Sequence, residues 1–449
     1  MSVSSPEQRT VLPEVEPYLT AAEAVLRGSR REPERVTTLR RRAIERFAQL
    51  GFPTPRHEEW RFTNVAPLAR TRFAIAEGAT APANEIERYA YAESAQVVLV
   101  DGRFAPELSR LEGLPAGVVV QGLAQALAER PQLVEPHLGR LARFAEHPFV
   151  ALNTALWRDG VLLWVPRGTL VERPVNLILA ARPGGQPSAF FPRLLIVAEE
   201  SSQVTVFEQH VSVGEGVHFT CPVLEVRVGA NATVDHYKLQ RESVAAFHMS
   251  TLHVEQARDS TFSSHCLSWG GAIVRNDVNA VLAGEGGHST LNGLYMVDGR
   301  QLVDNHMRIE HAAPHCASRE LYKGILEGQS RAVFTGLIYV HPGAQKTDGV
   351  QTNRNLLLSR EALCNSQPQL EIFADDVKCT HGSTVGELDD TAIFYLRSRG
   401  IGEDAARSLL TYAFASDIVQ RIKVAPVRRD LEEFLFRRLP RGEVVRQAV

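Results

Sequence analysis

The sequence predicts a mainly β core between a helical N-terminal region and a helical C-terminal tail. Three observations carry this. From Asn153 to about Val377, short runs rich in β-branched and aromatic residues follow one another, punctuated by Gly and Pro, with no long helical period. After Asp389 the helical period returns. Within the β-rich stretch, the segments starting at Gly229, Ala257, Gly284 and Glu327 each set a small polar turn before a strand-like run, at intervals of 28, 27 and 43 residues. Sandwiches, barrels and solenoids all accommodate so many short strands, but the rhyme favours a solenoid, in which each coil buries its apolar face on the next.

The chain divides into residues 1–150, mainly helical or mixed, 151–388, the β core, and 389–449, the helical tail. Leu19 to Gly51 reads as helical, with Leu26, Val36, Leu39, Ala43, Phe47 and Leu50 at three- and four-residue steps, and Gly51 and Pro53 as the stop. Arg56 to Asn64 combines charge with Trp60 and Phe62 and reads as a short docking helix. Val97–Val100 and Gly117–Val120 read as strands, Gln121–Glu129 as a helix, and Leu138–Phe144 as a short helix after Pro136. In the tail, Asp389 or Asp390 caps a helix over Thr391–Ser398 that Gly400 stops. A second helix over Glu403–Ile422 carries Ala406, Leu409, Leu410, Ala413, Phe414, Ile418 and Ile422 as its apolar stripe. Pro426 marks a break, and Asp430–Arg438 runs from acidic to basic with Leu431, Phe434 and Leu435 on one side. Such a unit is suited to cap the solenoid end or to dock a partner.

Composition excludes several classes. With 449 residues, 44% hydrophobic and 22% charged, and 49 Lys+Arg against 52 Asp+Glu, the chain carries a net charge of −3 and no overall nucleic-acid footprint. Cys221, Cys266, Cys316, Cys364 and Cys379 form neither a CxxC pair nor a small-domain disulfide framework, which predicts free thiols in a reducing cytoplasm. The Met1–Glu7 stretch lacks a basic flank and apolar core, and no later run is long enough to span a bilayer, so no membrane partner is expected. No phosphate-cradling loop, His-Glu-x-x-His pair, Gly-x-Ser-x-Gly elbow or Rossmann fingerprint is present, which argues against a self-sufficient enzyme.

The sharpest candidate site is Lys378-Cys379-Thr380-His381-Gly382. In an extended strand Cys379 and His381 project to one face and reach one metal ion or cluster. Two ligands cannot close a tetrahedral site, so another residue, a second chain or solvent must complete it. The bland reading of Cys379 is a small buried hydrophobe. The denser group His288, His306, His311, His315 and His341, with Cys316, reads more simply as hydrogen-bonded solenoid residues.

The run Pro368–Ile372, Val377-Lys378-Cys379-Thr380-His381-Gly382-Ser383-Thr384-Val385-Gly386 and Ile393-Phe394-Tyr395-Leu396-Arg397-Ser398-Arg399-Gly400-Ile401 closely resembles the SufB/SufD family of the SUF iron–sulfur cluster assembly system. Arg56-His57-Glu58-Glu59-Trp60-Arg61-Phe62-Thr63, His306–His311, Tyr322-Lys323-Gly324, Val333-Phe334-Thr335-Gly336 and Gln345-Lys346-Thr347-Asp348 extend the resemblance over nearly the whole chain. Where the SufB pattern has Cys-Asp-Ser and a His-Glu pair, this chain has Thr352-Asn353-Arg354-Asn355 and His381-Gly382, which places it on the SufD side.

The resemblance implies a right-handed parallel β-helix core with an N-terminal helical region and a C-terminal helical domain that docks an ATPase. It implies a non-catalytic scaffold subunit that pairs with a SufB-like homologue and a SufC-like ATPase. A homodimer is the alternative state of the isolated chain. No permanent cofactor is implied, only a transient iron or iron–sulfur cluster at the subunit interface, with His381, and less directly Cys379, as metal ligands. The rival readings are a structural β-solenoid binding module without a metal role and a carbohydrate-active β-helix, the latter lacking a distinctive pair of acidic residues.

Overall fold

A computed structural model describes residues 12–28, 32–76, 78 and 80–448; the Met1–Glu7 stretch lies outside them. Two parallel sheets face each other along a solenoid of about eight turns, each turn giving one strand to either sheet. In one sheet, register aligns Gln203, Thr233, Thr261, His288, Ala317, Asp348 and Lys378, so a coil takes between 27 and 31 residues. Alternate residues point inward, and Val204, Val206, Leu224, Val226, Val234, Leu252, Phe262, Leu291 and Ile309 fill the space between the sheets.

One corner sets the period. Ser201, Asn231, Asp259, Gly286, His315 and Lys346 all adopt left-handed backbone, with φ between 53° and 73°. Each donates its N–H to the next coil, for example Asn231 to Arg258 O at 2.9 Å and His315 to Gln345 O at 2.9 Å. Small and polar residues tolerate this conformation best, which is why the turns rhyme in the sequence. The turns at Gly229, Ala257 and Gly284 lie at this corner. Glu327 lies at the opposite one, between the strands Ala317–Leu326 and Arg331–Val340, so the 43-residue interval spans one coil and part of another.

The N-terminal region closes one end. Ala95–Val100 joins the solenoid in parallel with Val175–Ala181, while Arg103–Phe104 and Val119–Gly122 add antiparallel edges. Pro33, which has no N–H to continue a helix, splits the expected Leu19–Gly51 element into Glu16–Gly28 and Glu34–Leu50. The expected Leu138–Phe144 helix is a set of turns instead. There the N–H groups of Gly139, Leu141 and Ala142 donate to the buried Glu225 carboxylate at 2.8, 2.8 and 3.1 Å, a convergence that a helix would prevent. Trp60 docks as expected: it is buried, and the Arg275 guanidinium stacks 3.9 Å above it while donating to Glu59 O and Asp304.

The tail does not cap the far end. Its helices Asp390–Ser398, Glu403–Val419, Ala425–Arg438 and Gly442–Ala448 pack chiefly on the outer flank of one sheet, where Ile418, Leu431 and Leu435 meet Phe207, Leu239, Leu267 and Met296. Phe434 stacks on Trp269 with centroids 4.1 Å apart. Pro426 begins the third helix rather than breaking the chain, since the first helical turn needs no N–H there. The buried stripe of Glu403–Val419 runs through Ala405, Ser408, Tyr412, Ala415 and Val419 as well as Ile418, and Ala413 is exposed. Asp389 caps as expected, accepting from Thr391 N at 2.8 Å.

Candidate functional site

The end left uncovered is the last coil. Leu363–Ile372 and Lys378–Gly386 are the terminal strands of their sheets, so each presents one unpaired edge of backbone donors and acceptors. Leu363, Phe373 and Val385 are 51%, 56% and 47% exposed around this rim. Register stacks Cys379, His381, Ser383 and Val385 on Gly349, Gln351, Asn353 and Asn355. Gln351, Asn353 and Asn355 are buried in the lumen, so the four residues above them form the inner wall of the open mouth. Cys364 and Ser366 line the facing strand, and Ser383 Oγ donates to Ser366 Oγ at 2.7 Å across the mouth.

Cys379 and His381 thus share the inward face, about 7 Å apart along the strand. Their settings differ. Cys379 is half-buried against the cluster of Ile338, Val340 and Ala344, and burial raises its thiol pKa. His381 is exposed at the rim. An exposed imidazole is a ready ligand for iron or zinc, whereas a thiol pushed up by burial gives up its proton less readily. Below His381 the lumen is polar: Gln351 Nε2 donates to Glu320 Oε2 at 2.8 Å. Glu320 is fully buried, and burial pushes its carboxyl up to about 7.

The central histidines do not converge. His311 points inward and pairs with Ser318 at 2.9 Å, His306 approaches Arg275 at 3.1 Å, and His341 pairs with Glu310 at 2.6 Å on the outside. His315 occupies the left-handed corner, and Cys316 is buried with its S–H directed at backbone carbonyls.

A denser cluster lies deeper in the lumen: His210, His218, His236 and His248 around Glu208 and Glu242, all buried. The signal was present as an alternation. Glu208-x-His210, and His236-x-Lys238-x-Gln240 with Glu242 just past the strand end, repeat at period two, which sends every polar member to one face.

A covered flank and a bare final coil that carries Cys379 and His381 on its inner wall define a parallel β-solenoid open at one end. Residues 20–177 match the SufBD protein N-terminal region, and residues 180–414 match the SufBD core domain of SUF system FeS cluster assembly. The chain is 33% identical to the iron–sulfur cluster assembly protein SufD of Escherichia coli, covering 92% of this chain and 95% of that one. It is 32% identical to an iron–sulfur cluster assembly SufBD family protein of Synechocystis, over 94% and 95% of the two chains. SufD of Bacillus subtilis is 27% identical over 91% and 95%. The chain belongs to the SufBD family, and its role is in iron–sulfur cluster assembly. Among the described residues no helix is long and apolar enough to cross a membrane.

Proposed function

We propose that this chain is the SufD-like, non-catalytic subunit of a cytoplasmic assembly complex, and that its bare coil is the face on which a SufB-like solenoid seats. The observation that carries this is His381: an exposed imidazole on the inner wall of a coil whose two strand edges are unpaired. Continuing both sheets into a homologous partner satisfies those edges, covers the rim residues and brings the partner's ligands to His381. Iron or a nascent cluster is then a substrate held between the chains, with His381 as principal ligand and Cys379 as auxiliary. In isolation a second copy of this chain takes the same seat.

The exposed Phe394 and Tyr395 on the helix Asp390–Ser398, close behind the rim in sequence, support the reading that the tail seats a SufC-like ATPase. Nucleotide-driven movement there shifts the helices against the solenoid flank and alters the paired mouth, linking a distant site to cluster chemistry through two states.

The test is anaerobic co-expression with a SufB-like subunit and a SufC-like ATPase. His381→Ala is expected to leave the complex intact and to lower cluster formation. Undiminished maturation would remove His381 from the site and favour a purely structural solenoid module.

A further inference from the structure

Deep in the lumen, the strands Gln203–Ser212, Thr233–Arg241 and Phe247–Gln256, with the residue that follows the second, converge His210, Glu242 and His248. One ligand atom from each lies within 4.8 Å of the others, and all three residues are buried. The strand carrying His381 is five strand spacings along the sheet from Thr233–Arg241, about 24 Å at the usual 4.8 Å.

The hydrogen bonding fixes His210 and Glu242 and leaves Nδ1 of His210 and of His248 without a hydrogen-bond partner. His210 Nε2 lies 2.6 Å from Glu208 Oε1, so that nitrogen carries the proton, and the unprotonated Nδ1 is buried with no partner. A carboxylate on the far nitrogen, fixing tautomer and ring, is the arrangement that accompanies metal-bound histidine. His248 Nδ1 sits 2.7 Å from Glu242 Oε2 yet out of hydrogen-bonding alignment. Glu242 is held in place by Thr220 Oγ1 and by Gln240 Nε2, at 2.5 and 3.0 Å. Lys238 Nζ donates to His248 Nε2 at 2.9 Å and also to Ser250 Oγ and Asn276 Oδ1; presenting Nδ1 puts the proton on Nε2, so the ammonium turns away from the ring and keeps its other two acceptors. A cavity of about 20 Å³ bordered by Glu208, His236, Lys238 and Cys266 adjoins the cluster, enough for one water.

We propose that this lumen binds one divalent first-row transition-metal ion through His210, Glu242 and His248, with Glu208 positioning His210. Two imidazoles and one carboxylate suit Fe²⁺, Co²⁺ or Zn²⁺. The site rests on its own donors and not on the reading of His381. Because every donor is buried, the ion enters as the chain folds.

The test uses Co²⁺ as probe, with the full chain expressed in cobalt-supplemented medium and purified anaerobically, read by elemental analysis and visible absorption. Wild type is expected to carry one Co²⁺ per chain with nitrogen and oxygen ligand-field bands. His210→Gln and Glu242→Gln lose it, Glu208→Gln weakens retention against a chelator by ~10–100-fold, and His381→Ala keeps it. Cobalt-free wild type, or cobalt kept in both folded ligand variants, overturns the site. Should those variants fail to fold, the wild-type spectrum decides. Ligand-field bands without sulfur support the lumen, whereas thiolate-to-cobalt charge transfer places the ion on a cysteine and overturns it.

Discussion

The covered half of the solenoid and its bare final coil are built from the same repeat and differ in what lies against them. Around Arg193 and Glu225 the coils are pressed under the N-terminal region. Glu225 binds Arg193 at 2.5 Å and three loop N–H groups, with both charged side chains essentially without solvent. At the other end, Leu363–Ile372 and Lys378–Gly386 have a neighbour on one side only, and most of their residues touch solvent. A solenoid coil cannot bury itself, so the bare end keeps the unpaired edges on which the proposed partner seats.

The largest expected effect lies on the covered side. Glu225→Ala strands a buried guanidinium and three N–H groups, and is expected to cost ~3–5 kcal/mol in urea unfolding. Burial alone would raise the Glu225 carboxyl, but Arg193 and the N–H donors hold it below the ordinary range. Its stabilisation is therefore present above the ordinary carboxylate pKa and lost as pH falls through the lower folded value. A Glu225→Ala protein as stable as wild type at neutral pH would mean the N-terminal region does not brace the coils.

Glu320, one coil inward from Gln351, should behave oppositely. Its folded pKa of about 7 lies above the unfolded value, so its contribution to stability declines as pH rises from about 4.5 to about 7 and then levels off. Glu320→Gln keeps the shape without the charge and is expected to gain ~3 kcal/mol at pH 8 and little at pH 4.5, from 1.36 kcal/mol per pKa unit. Thermal melts at the two pH values check it, and equal gains at both would show that the carboxyl is ionised throughout.

At the rim itself, Phe373→Asp with Val385→Asp changes residues that touch solvent in the isolated chain. Folding stability should move by less than ~1 kcal/mol. Affinity for a SufB-like partner is expected to fall by ~10–100-fold, since each half-exposed apolar side chain contributes on the order of 1 kcal/mol when covered. Binding measured by interferometry separates the two, and unchanged affinity would move the seat elsewhere.

Much of this contrast was legible in the sequence. The Gly229, Ala257 and Gly284 turns gave the period because a left-handed corner restricts residue type at each coil. The shared face of Cys379 and His381 follows from the sequence alone, because a strand's period is local. What stayed hidden depends on partners distant in sequence. Leu138–Phe144 has helical composition, yet Glu225, more than 80 residues later, draws its N–H groups together. The tail's apolar faces gave no direction, and they turned to the flank because Phe207, Leu239 and Trp269 form an apolar outer patch there. The period-two polar runs that hold the His–Glu cluster are visible in the sequence, but their meeting is not, because its members come from separate coils that only register brings together.

The smallest effect asks whether the bare end is a unit. Asp389 follows the last strand by three residues and caps the helix Asp390–Ser398, whose only buried residue is Ile393. Asp389→Ala should cost about 1 kcal/mol locally. If the helix and the rim strand open independently, hydrogen exchange speeds up over Asp390–Ser398 by about fivefold, because 1.4 kcal/mol corresponds to tenfold, while Lys378–Gly386 is unaffected. Faster exchange in that strand as well would mean that cap, helix and rim open as one element. A partner pulling on the helix would then move His381 directly, whereas independent opening requires the pull to travel through the flank.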